Sequence, residues 1–266
     1  MTFKKFMALA FLFVLIETHT VYSQRTQSSL SAGNQRRSEK SLKDHQYFFY
    51  FIDPTVTNSG DDEERALLIE ATRRDLIARM LYMRFEFNPA MNEVIRTQKL
   101  LITLYSKIAV REVDAATALL NEVSTEILKT KDDHSKHYIS LGYRSVDLAR
   151  KTMIMTDNID ETNYSIKIYE YVKAIKSAKY SKRYAIIGLI DNRMPLEKSM
   201  KIDYNNYDVV KDLIAQYIPE NAERYKAIHF DNFYKFDQDK SIFNSVRNHP
   251  KLEKIPEYKD YLKGHR

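Results

Sequence analysis

From Asp61 onward the apolar positions recur at helical spacing. Ile69, Leu76, Met80, Met83 and Phe87 lie at steps of seven, four, three and four, which keeps one face apolar. Asp61 or Asp62 is placed to cap this helix, with Glu63 and Glu64 in its first turn, the sign favoured at a helix N-terminus. Asn88-Pro89 ends it and starts a second helix, which carries Met91, Val94, Ile95, Leu101, Ile102, Tyr105 and Ile108. Asp114 reads as the start of a third (Leu119, Leu120, Val123, Ile127, Leu128), and Asp132 or Asp133 as the start of a fourth. Gly142 reads as a turn, after which Ser145 caps a fifth helix through Leu148, Met153 and Met155 to Asn158. The longest predicted helix runs from about Asp160 to Arg193 and is stopped by Pro195. Ile168, Val172, Ile175, Ala178 and Ile186 share one side of it, and at ~1.5 Å per residue it measures roughly 50 Å. Shorter helices follow over Tyr207 to Tyr217, Pro219 to about Phe236, and Asp239 to Val246. No segment sustains alternation with turn chemistry, so no sheet is expected. The fold class is all-α: an elongated, bent multi-helix array with one long helix of about 30 residues and up to two lobes.

The first 60 residues follow other rules. Lys4 and Lys5 precede an uncharged apolar run from Phe6 to Ile16, and Val21-Tyr22-Ser23 offers a small residue before a cut ahead of Gln24. That pattern is a signal peptide over 1–23. The run falls short of the ~20 residues that span a bilayer, and no other segment is apolar enough, so membrane insertion is not expected. Gln24 to Lys43 is Ser, Gln, Asn and basic residues with little to bury, and reads as a disordered arm. Tyr47-Phe48-Phe49-Tyr50-Phe51 then places five aromatics in a row, which either wedge into a core groove or dock on a partner. Asp53-Pro54 and Asn58-Ser59-Gly60 break the chain. The division is therefore signal 1–23, flexible arm with an aromatic anchor 24–60, main helical domain 61–193, and a smaller helical region with its tail 194–266.

Composition narrows the chemistry. With no Cys, the chain has no disulfide, no thiolate metal site and no cysteine nucleophile. It has five Gly, of which only Gly142 and Gly188 lie inside the patterned region, and neither belongs to a phosphate-cradling motif. His134 and His137 stand three apart beside Asp132 and Asp133, a spacing that can present two metal ligands. The partner Glu-x-x-His elements are missing, so a polar first turn with capping acids is the better reading. There is no GxSxG and no SxxK in useful context. No catalytic, cofactor or metal residue is assigned, and the chain is not read as an enzyme. A net charge of +6 invites nucleic acid in a cytosolic protein, but export removes that partner.

Two features remain as candidate interfaces. Lys173, Lys176, Lys179, Lys182 and Arg183 run along the long helix at steps of three, three, three and one. They read either as an ordinary solvated face or as an electrostatic dock for an acidic neighbour. The second feature is tyrosine, with 19 in the chain and no Trp. Tyr164, Tyr169, Tyr171, Tyr180 and Tyr184 decorate several faces of one helix, so one intramolecular neighbour cannot bury them all. Tyr204, Tyr207, Tyr217, Tyr225 and Tyr234 continue the series, with Phe230, Phe233 and Phe236. Tyr gives large rigid area with a polar tip, which suits a protein interface as well as a core. The candidate interface residues are Lys173, Lys176, Lys179, Arg183, Tyr164, Tyr171, Tyr180, Tyr204, Tyr207, Tyr225, Phe230 and Phe233.

The block Leu141-Gly142-Tyr143-Arg144 to Asp147-Leu148-Ala149-Arg150, then Met153-Ile154-Met155-Thr156-Asp157-Asn158, resembles the flagellar coiling proteins of spirochaetes. So does its continuation through Tyr164-Ser165-Ile166, Tyr169, Tyr171-Val172, Ala174-Ile175 and Lys182-Arg183-Tyr184-Ala185, so that the resemblance covers about Asp132 to Arg193. It implies an exported, all-α, elongated and bent protein of the periplasmic flagellar sheath, with a leaning to the smaller, second coiling protein. Its role would be structural, imposing filament curvature for motility by lateral contacts. The partners so implied are other sheath and filament core proteins, with self-association in a lattice, and no catalytic or cofactor residue carries over. The alternative from the residues themselves is a periplasmic helical-repeat adaptor that binds envelope proteins or peptides. Tyr138, Leu141 and Gly142 fit the opening of a tetratricopeptide repeat, but Ile154 and Glu161 occupy its expected Ala positions, and no second copy follows.

Overall fold

The computed structural model describes residues 32–195, 202–236, 240–248 and 256. The signal expected over 1–23, the first part of the arm and most of the tail lie outside these residues. Among the described residues every regular element is helical.

Residues 32–59 form a helix, α1, where the sequence suggested an arm. Ser38, Leu42, His45, Phe49, Ile52 and Val56 are all buried, at alternating steps of four and three. A second buried row, Phe48, Phe51 and Thr55, makes this a helix enclosed on two sides. Two of the three buried positions before Phe48 are Ser or His, which hid the period from a reading based on apolar residues. The aromatic run divides accordingly. Phe48, Phe49 and Phe51 enter the core, while Tyr47 and Tyr50 stay 40% and 45% exposed. Phe48 and Phe51 meet the Tyr105 ring, and the Tyr105 hydroxyl donates to the Phe48 carbonyl at 2.6 Å. Pro54 sits inside α1 instead of breaking it. The neighbouring Asp53 carboxylate accepts from Thr57 Oγ1, Ser241 Oγ and the Phe243 backbone N–H, which ties the C-terminal part of the chain to α1.

Helix α2 spans Asp62–Met83 and opens on a capping box: the Asp61 carboxylate accepts from the Glu64 N–H while Glu64 accepts from the Asp61 N–H. Helix α3 spans Phe87–Ile127 and is the longest element at 41 residues, roughly 60 Å. The sequence pattern predicts a break at Asp114 and a longer helix later in the chain, over about 160–193. Asp114 is only a solvent-facing position on α3, because Ile108, Val113, Ala116, Leu119 and Leu120 carry the buried stripe straight past it. Helix α4 spans Asp133–Asp157, again unbroken. Gly142 lies within it and is not a turn. A Cβ there would sit 2.5 Å from Leu120 Cδ2, so this glycine lets α4 approach α3 closely. Helix α5 spans Tyr164–Arg193, close to the predicted bounds. After it come α6 (Tyr207–Tyr217), a 3₁₀ turn (Pro219–Asn221), α7 (Ala222–Asn232) and α8 (Ile242–Arg247).

Consecutive long helices pack antiparallel, as the pairs His45–Asp75, Arg74–Glu93, Tyr143–Asn121 and His134–Asp191 show. Helices α3 and α5 run parallel and touch along their length, from Gln98–Ser165 to Arg193–Glu126. Two apolar clusters lie along this pair. One gathers Phe48, Phe49, Leu101, Leu104, Tyr105, Ile168 and Val172. The other gathers Leu119, Leu120, Ile139, Val146, Ile186 and Leu189 with Ile214, Ile218 and Tyr225 from beyond residue 194.

Candidate functional site

The lysines of the long helix do not form one solvent-facing flank. A step of three residues falls short of a full helical turn by about 60°, so successive lysines rotate around the helix. Lys173 is exposed and pairs with Glu170. Lys176 is half-buried, with its Nζ 5.5 Å from the Phe51 ring centroid and 3.3 Å from the Tyr47 hydroxyl. Lys179 has turned fully inward and is 2% exposed. It pairs with Asp231 at 2.8 Å, donates to Thr55 Oγ1 and the Asp231 carbonyl, and lies 4.4 Å from the Tyr234 ring centroid. Lys182 is also buried, 2.8 Å from Glu112 and 3.6 Å from Asp231. Burial pulls Lys179 below its ordinary pKa, against the carboxylates of Asp231 and Glu112. Asp231 is held below the usual carboxylate range by Lys179 and Lys182, which outweigh the opposing effect of burial. These charges join α1, α3, α5 and α7 from within, and Lys179 offers nothing to a partner.

The aromatic candidates separate in the same way. Tyr171 and Tyr225 are buried, their hydroxyls donating to Asp157 and Glu122. Tyr164 lines a cleft of about 620 Å³ with Arg37, Lys40 and Asp44 of α1. Phe230 lines another, of about 450 Å³, beside Arg111, Glu112, Lys182 and Asp231. Tyr207 stacks on the buried His229 ring at 4.8 Å and meets the Phe233 edge at 5.5 Å.

Three of the candidates, Tyr180, Arg183 and Tyr204, converge in one place. With Tyr138, Tyr184, Ile187, Ile202, Asp203 and Asn205 they line a groove of about 350 Å³ between α4, α5 and the segment before α6. The Tyr138 ring stacks on Tyr184 with centroids 6.4 Å apart and meets Tyr204 edge-on at 6.0 Å. Tyr204 is fixed by its hydroxyl, which donates to the buried Asp191 carboxylate at 3.0 Å. The other oxygen of Asp191 holds His134, so the spacing that raised a metal pair instead serves a wall of the groove. His137 packs beside Tyr138, and no cluster of three or more metal-ligating side chains occurs among the described residues.

Arg183 forms the floor. It donates to the Tyr204 carbonyl and to Asn205 Oδ1, and its guanidinium lies 4.8 Å from the Phe233 ring centroid, linking the groove to the Tyr207–His229–Phe233 cluster. Burial lowers the Arg183 pKa, while Tyr180, Tyr184 and Asp203 oppose that shift. Burial, helped by Asp191, raises the Tyr138 pKa, so its phenol stays a neutral donor. The hydroxyls of Tyr138, Tyr180 and Tyr184 find no hydrogen-bond partner among the described residues, and Tyr180 is 51% exposed. The groove thus offers flat aromatic faces, free phenol groups and a guanidinium already held in place. Aromatic faces around a fixed guanidinium are a make-up common at protein-binding surfaces.

A family model described as the surface protein adhesin OmpL37 matches residues 32–260. The chain belongs to the OmpL37 family. The match includes α1 and the groove, and it covers both the main helical region and the shorter helices after it. Neither a curated protein nor a solved structure matches this OmpL37-family chain. Tyr138 and Tyr184 were legible as residues but not as a pair. The one signal was that Tyr180 and Tyr184 stand four apart on a helix and so share a face.

Proposed function

We propose that this chain is an exported binding protein that holds a protein partner at the cell surface through the Tyr138–Tyr180–Tyr184–Tyr204 groove. The observation that carries the reading is the groove itself. Four tyrosines from two helices and a loop converge around an anchored arginine, and three of their hydroxyls are left without a partner among the described residues. Tyr and Arg are the residue types that dominate binding energy at protein interfaces. Membership of a surface adhesin family supports the same reading. The signal-like first 23 residues supply the export step. The test is binding of the full chain to intact cells and to immobilised extracellular proteins. Saturable binding that a Tyr180→Ser, Tyr184→Ser variant loses while its helicity is kept supports the proposal, and binding indifferent to these changes refutes it.

A second reading follows from the resemblance of residues 132–193 to flagellar coiling proteins. Two long parallel helices, one of 41 residues, form a stiff body suited to lateral contacts in a periplasmic sheath. In that reading the groove meets a sheath or filament subunit, or a second copy in a lattice. Location separates the two. Cleavage by protease added to intact cells favours the surface, whereas co-purification with periplasmic flagella and loss on stripping favours the sheath. The helical-repeat adaptor has less support, since α2 to α5 have 22, 41, 25 and 30 residues and show no repeated pair.

A further inference from the structure

Two non-glycine residues among those described adopt a left-handed backbone, Phe85 (φ 63°) and Tyr234 (φ 53°). Both occupy the same position in the same motif. After α2, the Phe85 N–H donates to the Tyr82 carbonyl and the Glu86 N–H to the Leu81 carbonyl. After α7, Tyr234 donates to Asp231 and Lys235 to Phe230. These are Schellman caps, whose left-handed residue is ordinarily glycine because a side chain there is strained. Tyr234 has an evident internal return for the strain, since its ring covers the buried Lys179 ammonium and meets Phe51 at 5.1 Å. Phe85 has none. Its one ring neighbour among the described residues is Phe87 at 6.1 Å, and the side chain stands 78% exposed at the end of the α2–α3 hairpin. Met83 beside it is 71% exposed.

Three exposed arginines gather at this tip, with one acid, the half-buried Glu86, beside Phe85. Arg84, exposed, separates the two apolar side chains. The start of α1 lies alongside, fixed by the Asn34–Asn88 hydrogen bond, and it brings the exposed Arg36 and Arg37 to the same end of the molecule. A projecting pair of apolar side chains interleaved with cations fits an interface where hydrocarbon and negative charge lie within a few ångströms of each other. The surface of an anionic lipid bilayer has that profile. We propose that the Met83-Arg84-Phe85 tip is a wedge that docks this end of the protein on an anionic lipid surface, with Phe85 and Met83 at the acyl boundary and Arg84, Arg36 and Arg37 among the phosphates. The strained backbone is what aims Phe85 outward.

The full chain is sedimented with vesicles of phosphatidylcholine alone and of phosphatidylcholine mixed with phosphatidylglycerol, alongside variants of the tip. Residues 1–31 are common to every variant, so differences between them report the tip. Wild type binds the anionic vesicles more tightly, and added salt weakens that binding. Phe85→Gly lowers binding roughly tenfold, the loss expected for a large apolar side chain, while thermal stability holds or rises because glycine relieves the strain. Phe85→Asn, which tolerates the same backbone, is the second variant and loses binding likewise. Arg84→Gln lowers binding about fivefold and reduces the salt dependence. Wild-type indifference to the anionic lipid, or equal binding by Phe85→Gly and Phe85→Asn, overturns the proposal. The tip would then be left for a pocket in a protein partner.

Discussion

Replacing Asp231 with alanine removes the carboxylate that lies within 4 Å of both inward-turned lysines. Its oxygens lie 2.8 Å from Lys179 Nζ and 3.6 Å from Lys182 Nζ, and all three side chains are less than a tenth exposed. In the variant Lys179 keeps two neutral acceptors, Thr55 Oγ1 and the carbonyl of residue 231, but loses its nearest opposite charge. Only Glu112 remains against two buried ammonium groups. Breaking a buried pair by removing one partner costs about 3–5 kcal/mol, because the other charge stays desolvated. For a chain of this size that lowers Tm by roughly 6–20 °C. Lys173→Ala, which removes only an exposed pair with Glu170, costs less than about 0.5 kcal/mol. Asp231→Leu combined with Lys179→Met, which removes both charges, recovers a large part of the loss. Urea unfolding followed by far-ultraviolet circular dichroism measures all three. A cost below about 1 kcal/mol for Asp231→Ala, or one equal to that of Lys173→Ala, refutes the argument that these lysines act inside the fold.

Gly142→Ala places a methyl group 2.5 Å from Leu120 Cδ2 and costs about 1–3 kcal/mol from overpacking, less a helix-propensity gain of up to about 1 kcal/mol. Trimming Leu120 to alanine in the same chain recovers part of that cost, read from urea midpoints. Asp61→Ala removes the capping box of α2 and lowers stability by about 0.5–2 kcal/mol, also seen as faster amide exchange in the first turn. His229 is buried against Tyr207, its Nε2 lies 2.9 Å from the Tyr207 carbonyl, and burial holds its pKa below the usual histidine value. The unfolded chain therefore binds this proton first as pH falls. The stability that His229 contributes is complete above about pH 6.5 and declines below it, until pH passes the lower folded value. Tm measured between pH 7 and 5 shows a steeper fall for wild type than for His229→Phe.

What was legible from the residues was whatever repeated with a clean period. The 207–217 helix was found to the residue and α5 to its last residue, because Ile168, Val172, Ile175, Ala178 and Ile186 mark an apolar side of α5 even though Lys179 and Lys182 are buried with them. α1 was missed because Ser38 and His45 stand on its buried face, and because Pro54 lies inside it. Here Asp53, with its three donors, ties this part of α1 to residues 241–243. α3 and α4 were divided at Asp114, a residue type that starts helices, and Gly142, one that ends them, but here they meet solvent and a neighbouring leucine. The lysine stripe carried its own correction, since steps of three rotate inward. It was the packing of α1 and α7 on α5, invisible in sequence, that turned this rotation into burial. Tyr180, Arg183 and Tyr204 reached the groove from the sequence list, while Tyr138 needed the antiparallel pairing of α4 with α5 to bring it there.

The most direct test of the groove as the working surface is a binding isotherm of the full chain on intact cells, set beside that of the Tyr180→Ser, Tyr184→Ser variant. The wild type is predicted to saturate and the variant to bind at least about tenfold more weakly at equal helicity, as loss of central aromatic anchors requires. Overlapping isotherms, or wild-type binding that never saturates, would contradict it.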